Sequence, residues 1–216
     1  MKRPAQKNRL RRSFYDRPTT IVARELLGKA LVRRIQRNRT GDERGESKWI
    51  GGLIVETEAY LPEDDPACHA DRGRTPSNRS MFGQPGTLYV YPIHAKHCLN
   101  AVTESAGKGS AVLIRAVQPI WGIDLMRAIR GYDDPRRLTR GPGMLCQALQ
   151  IDRRHDGISL VDSPELMIAN PGDQQTLPIA VTPRVGISKA TDAALRFVIA
   201  GNRYVSGKIT PLSAAR

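Results

Sequence analysis

The chain has 216 residues, a length suited to one domain. Its 34 Lys and Arg against 21 Asp and Glu give a formal net charge of +13, which favours polyanionic partners. No apolar run approaches the roughly 18–20 residues that span a bilayer, so no membrane partner is expected, and the three cysteines, which lack C-x-x-C spacing, exclude a full disulfide framework and fit a reducing compartment.

Residues 1–17 hold seven Lys or Arg and one Asp, and read as a basic, disordered tail that helps scan DNA rather than as a signal peptide. In Pro18 to Gly28, Ile21, Val22, Glu25, Leu26 and Leu27 fall at helical spacing, with Gly28 as a C-cap. Ala30 to Ile35 reads as a strand, Arg37 to Lys48 as a polar loop, and Trp49 to Tyr60 as a second strand. From Leu61 to Gly86, Pro, Gly and charged residues dominate without a period, the pattern of a long functional loop. Thr87 to Tyr91 and Cys98 to Val102 can pair as a protruding β-hairpin.

Ser110 to Val117 has the apolar content of a buried strand, and Pro119 is expected to open a helix through Arg130, on which Ile120, Ile123, Met126 and Ile129 recur every third residue. Gly141-Pro142-Gly143 introduces a further helix, Met144 to Leu149. Beyond Ile158, Leu166 to Ala169, Ile179 to Ile187, Leu195 to Ala200 and Tyr204 to Ser206 read as short strands. Few helices and no βαβ alternation predict a single α+β domain over residues 18–207, with a mainly antiparallel sheet, flanking helices and the protruding hairpin, followed by a tail at 208–216.

On a strand, Glu56, Glu58 and Tyr60 share one face, so two carboxylates and a phenol meet there; an edge strand with an acidic solvated face would show the same pattern. Downstream stand His69, the stretch Arg72 to Arg79, Met81-Phe82-Gly83 and Pro85 to Tyr91. With Leu26-Leu27-Gly28, Asn100, Val112 to Ala116, Gly141-Pro142-Gly143, Arg184 to Ile187, Leu195-Arg196-Phe197 and Val205-Ser206, the order resembles the alkyladenine (3-methyladenine) DNA glycosylase family from Pro18 to Gly207.

That resemblance implies a monofunctional enzyme that flips a damaged purine from duplex DNA and hydrolyses its N-glycosidic bond. It implies that Glu58 is the carboxylate that deprotonates water, with Glu56 behind it or merely solvated, and that Arg115 is the arginine of the water site, whose nearby charge keeps the carboxylate ionised. Tyr60, His69 and Tyr91 match the residues that sandwich the base, and aromatic faces attract electron-poor, cationic purines. Asn100 matches the residue that crowds the base floor against the guanine amine.

The chain departs from the family at the hairpin tip, where His94-Ala95-Lys96-His97 puts His94 at the wedge position usually held by tyrosine, and at Met144, where relatives often have lysine. Looser, more pH-sensitive flipping is expected of an imidazole wedge. Arg72, Arg74, Arg79 and Lys96 flank the expected pocket and are candidates for phosphate contacts.

No cofactor or metal is expected, and the partner is double-stranded DNA carrying a damaged purine, bound by a monomer. The expected location is the cytoplasm and nucleoid of a bacterium, or the nucleus or an organelle of a eukaryote. Two rivals stand beside this reading: a non-catalytic DNA-binding protein that retains the scaffold, and a metal-dependent hydrolase using Cys68, His69, His94, His97 and Cys98.

Overall fold

The computed structural model describes residues 5–36, 47–172 and 176–208. Eight strands form one antiparallel sheet: β1 (Ala30–Gln36), β2 (Ser47–Tyr60), β3 (Leu88–Ile93), β4 (Lys96–Thr103), β5 (Ser110–Trp121), β6 (Leu166–Ala169), β7 (Ile179–Thr182) and β8 (Arg196–Ile199). The main path runs β3-β4-β5-β2-β1-β6, while β8 pairs with β2 and β7 with β8. The helices are α1 (Arg12–Tyr15), α2 (Thr19–Glu25), α3 (Ile123–Arg130), α4 (Arg136–Thr139) and α5 (Pro142–Ala148). This is the α+β fold expected, with one core in which Val22 and Leu26 of the α2 region and Leu145 of α5 meet Ile54, Val90, Leu99, Val112 and Ile114 of the sheet.

The fourteen-residue β2 is the axis of the molecule, and it is no edge strand. Its first half pairs with β1, its length with β5, and Glu56 to Glu58 with β8. Three register shifts interrupt the β2–β5 ladder: one at Gly51 and Gly52 skips Ile120, and two follow beside each other, where Ile54 faces Val117 and Glu56 faces Ala116, leaving Val55 without an opposite number, and Thr57 faces Ile114, leaving Arg115 without one. A bulge shifts the inside–outside alternation by one. Ile54 and Ala59 therefore lie in the main core, as do Ile114 and Val117, while Val55 and Ala116 share a separate apolar cluster on the opposite face. Glu56, Glu58 and Arg115 are delivered to that opposite face together.

Where β2 begins, Gly52 faces Pro119, and a Cβ there would meet the Gln118 carbonyl oxygen at 1.9 Å, so the close crossing of β2 and β5 admits only glycine. Pro119 thus lies inside β5, which continues to Trp121, and not at a helix start. The helix opens at Ile123, after Gly122 takes a left-handed φ of 69° that turns the chain out of the sheet.

Several other expectations are corrected. The described part of residues 1–17 is packed rather than free: Leu10 N donates to Ile168 O at 2.9 Å, and Tyr15 is completely buried. The predicted strand Ile179 to Ile187 stops at Thr182, before Pro183, and Tyr204 to Ser206 form no strand. Of the expected loop Arg37 to Lys48, residues 37–46 lie outside the described residues, and Lys48 belongs to β2. The hairpin β3–β4 closes through His94 and Ala95, with His94 at φ 49°.

Candidate active site

Glu56 and Glu58 are both completely buried, so Glu56 is not solvated. Burial of two carboxylates two residues apart requires compensating donors, and they come from three directions. Arg115 of β5 reaches both: its Nε donates to Glu56 Oε1 at 2.9 Å and its Nη1 to Glu58 Oε2 at 3.2 Å. Arg196 of β8 donates through Nε to Glu56 Oε1 at 2.8 Å, and Ser206 adds its backbone N–H at 2.6 Å and its hydroxyl at 2.9 Å.

Glu56 is thereby surrounded by four donors, whereas Glu58 has three: Arg115, the Val185 N–H at 2.8 Å to Oε1, and the Tyr60 hydroxyl at 3.1 Å to Oε2. A carboxylate has about four lone-pair sites, two on each oxygen: three of the Glu56 donors crowd Oε1 and leave Oε2 to the Ser206 amide, while Glu58 Oε1 has only the Val185 amide, so Glu58 is the less filled of the two. Burial pushes its pKa up; Arg115, the Val185 amide and the Tyr60 hydroxyl pull it down but do not cancel the rise. The Arg115 guanidinium acts in the expected direction, as the strongest influence favouring the ionised form, against the dry setting.

Beside this cluster lies a cavity of about 320 Å³, lined by Tyr60, His69, Tyr91, Cys98, Leu113 and Arg115, and closed by Met81, Pro142 and Val185 to Ile187 among others. Small-molecule sites begin near this size. An outer chamber of about 870 Å³ shares His69, Tyr91 and Ile93 with it and opens between Arg72, Arg153 and Lys189. His69 stands edge-on to Tyr91 with ring centroids 4.4 Å apart, and its Nδ1 is 2.8 Å from the Tyr89 hydroxyl. Desolvation among these rings lowers the His69 pKa.

Tyr60, His69, Tyr91 and Arg115 are thus brought to one cavity, with Glu58 sealed behind Tyr60 and Arg115. Asn100 is not: it is buried in β4, its Nδ2 donating to Tyr89 O at 3.1 Å, and does not line the cavity. Arg72 stands on the outer chamber, while Arg74 and Arg79 are exposed and line neither chamber. His94 is exposed at the hairpin tip. Lys96 lies over Gly143 and faces a separate basic groove with Arg130, Arg136, Arg137, Arg140 and Met144. Among the described residues no group of His, Cys, Asp or Glu is arranged to hold a metal ion, so the five Cys and His residues of the metal rival do not converge.

Residue-level reading did not identify Asp65, Arg184, Arg196 and Ser206 as parts of the site. Arg184 and Asp65 form a bidentate pair at 2.7 and 2.6 Å, with side chains 0% and 1% exposed. Only the motif runs Arg184 to Ile187, Leu195-Arg196-Phe197 and Val205-Ser206 pointed toward three of them, since a buried ion pair 119 residues apart leaves no periodic trace.

Comparison with known proteins gives a consistent result. The family described as methylpurine-DNA glycosylase matches residues 13–203. A Rhodopirellula baltica protein named "Putative 3-methyladenine DNA glycosylase" is 52% identical over 205 residues, covering 93% of this chain and 84% of that protein. Proteins of the same name from Methanoculleus marisnigri and Prosthecochloris aestuarii are 49% and 45% identical, covering 90% and 94% of this chain and 96% and 93% of their own lengths. No described helix is long and apolar enough to cross a membrane.

Proposed function

Because the chain belongs to the methylpurine-DNA glycosylase family, and is therefore a DNA glycosylase that hydrolyses N-glycosyl bonds, we propose that it acts on alkylated purines flipped from duplex DNA into the cavity beside Glu58. The observation that carries this reading is the difference between the surroundings of the two buried carboxylates: all three donors to Glu58, from Tyr60, Arg115 and Val185, line the aromatic cavity, whereas of the Glu56 partners only Arg115 does.

The everted base stacks on the Tyr60 ring on one side and on the His69–Tyr91 pair on the other, where aromatic faces favour a cationic purine. Glu58, with its raised pKa, takes a proton from water as the water oxygen attacks C1′. The C1′–N bond breaks with its electron pair going to the base, so a cationic alkylated purine leaves neutral and abasic DNA remains. Arg115 orients Glu58, and the Val185 carbonyl, 3.4 Å from Arg115 Nη1, is placed to accept a hydrogen bond from the same water. Val185 and Ile93, both exposed apolar residues, form the rim where the strand opens, and His94 sits next to Ile93 at the tip to fill the gap left in the stack.

Arg72 and Lys96 hold the backbone on either side, with Arg74 and Arg79 further out. Asn100 acts from behind the wall by fixing the Tyr89 carbonyl. The enzyme works as a monomer, and the strand is not cut, a reading supported by the absence of any described lysine from the lining of the inner cavity. The deciding experiment measures free base released from duplex DNA bearing 3-methyladenine, 7-methylguanine or hypoxanthine. Release by the wild type and its loss in Glu58→Gln with DNA binding retained is expected; a wild type that binds DNA but releases no base overturns catalysis in favour of the non-catalytic scaffold.

A further inference from the structure

The Tyr60 ring has a cavity side and a hidden side. Tyr60 lines the cavity, and Arg184 does not. The Arg184 guanidinium carbon lies 4.7 Å from the ring centroid, behind the ring as seen from the cavity. There its charge is matched: Nη1 and Nη2 grip Asp65 at 2.7 and 2.6 Å, Nη1 also donates to Ala59 O at 3.0 Å, and Asp65 accepts the Leu61 and Ala67 amides at 3.0 and 3.2 Å.

Resting on the reading that a purine stacks on Tyr60, we propose that the Asp65–Arg184 pair determines the preference between cationic and neutral bases, by keeping the charge behind the stacking ring balanced. A ring attracts a cation through its negative face. A bare cation behind the ring would draw that density backward and repel a cationic base roughly 8 Å away through a dry interior, while a bare carboxylate would attract it. At an effective dielectric near 20, one uncompensated charge at that range changes discrimination on the order of tenfold. The pair thus tunes selectivity without touching the substrate, through Tyr60.

The experiment compares kcat/KM for duplexes with a single 7-methylguanine, which is cationic, and a single hypoxanthine, which is neutral. The ratio between the two, taken within one protein sample, cancels any loss of folded protein. Asp65→Asn is expected to lower the cationic-to-neutral ratio about tenfold and Arg184→Met to raise it by a similar factor. Arg184→Lys, which keeps the charge and loses the fork, should slow both reactions and hold the wild-type ratio. For a lesion that the wild type binds without releasing, the same ratio is read from dissociation constants in a Glu58→Gln background. An active wild type whose ratio is unmoved in Asp65→Asn and Arg184→Met overturns this inference alone. A wild type that neither binds nor releases either lesion overturns the functional reading and this inference with it.

Discussion

Glu56 and Glu58 differ at the residue scale in where their donors stand, and under the proposed function that difference separates a structural carboxylate from a reactive one. Of the residues that bond Glu56 only Arg115 stands on the cavity wall, while all three donors to Glu58 stand there, and burial raises the Glu58 pKa. A carboxyl group whose folded pKa lies above its unfolded value binds its proton more tightly in the native state, so its ionisation costs stability. That cost is absent below the unfolded carboxylate value, grows through the folded one and is fully expressed above it. Glu58→Gln is therefore expected to abolish base release, by roughly a thousandfold or more, and to gain thermal stability over the wild type as the pH rises from about 4 to about 8. Thermal melts across that range check it, and a difference that does not change with pH would mean the native carboxyl is not shifted upward. The same cause sets the acid limb of the pH–rate profile above the usual glutamate value of about 4.3. Arg115→Gln removes the strongest influence that lowers the Glu58 pKa, so the residual activity should show its acid limb at still higher pH. An unmoved limb would detach Arg115 from Glu58.

At the scale of elements, the hairpin β3–β4 forms one edge of the sheet, where Leu88 exchanges backbone hydrogen bonds with Gly157 and Ile158 and side chains take over at Val90. Asp156 Oδ1 accepts the Val90 N–H at 2.9 Å, its Oδ2 accepts the Ser80 hydroxyl at 2.6 Å, and Arg153 donates to Val90 O and to Ser77 O. Val90 is completely buried, so Asp156→Ala leaves its amide without a partner, at about 1–3 kcal/mol. Amide hydrogen exchange over Leu88 to Ile93 is expected to quicken and lesion affinity to fall, because Tyr91 and the tip ride on this strand; unchanged exchange there would show that the clamp is idle. The hairpin itself was readable from alternating apolar residues on both arms of a short turn, as were α2, β1 and most of β2. The side-chain hydrogen bonds that hold them were not, since Asp156 meets Val90 across 66 residues. The bulges at Val55 and Arg115 were equally hidden. Alternation along Ile54-Val55-Glu56 would place Ile54 and Glu56 on one face, and only the pairing with β5 shows that they lie on opposite ones. The residues of the site were named through their family motifs, while the reason they converge lies in those two register slips. Pro119 misled for a related cause: proline favours a helix start, yet here it sits opposite Gly52, where the sheet tolerates it.

For the whole molecule, the net charge of +13 overstates what is available to a polyanion. Arg9, in the stretch expected to be a free basic tail, turns inward and donates to the carbonyls of Val161 and Ser163 at 2.8 and 2.5 Å, while Arg12 stays exposed and donates to that of Pro85 at 2.9 Å. Arg115, Arg184 and Arg196 are consumed by buried carboxylates. Among the cations left at the surface, two groups flank the hairpin. One set is Arg72 and Lys189 on the outer chamber; the other is Lys96, Arg136, Arg137 and Arg140 in the groove near α5, where Arg137 stacks 3.9 Å over Tyr132. Each cation that neutralises a phosphate releases a counterion and contributes about 0.9 to the slope of log affinity against log salt. Lys96→Ala and Arg72→Ala are each expected to weaken DNA binding regardless of sequence and to reduce that slope by about 0.9. Arg9→Ala should leave the slope alone and lower the melting temperature, because its guanidinium fastens the first residues to the 161–163 turn. Binding isotherms at four or five salt concentrations, with a melt for each variant, separate the two classes. If Arg9→Ala lowers the slope as Lys96→Ala does, the N-terminal residues reach DNA after all, and their packing against the domain gives way when it binds.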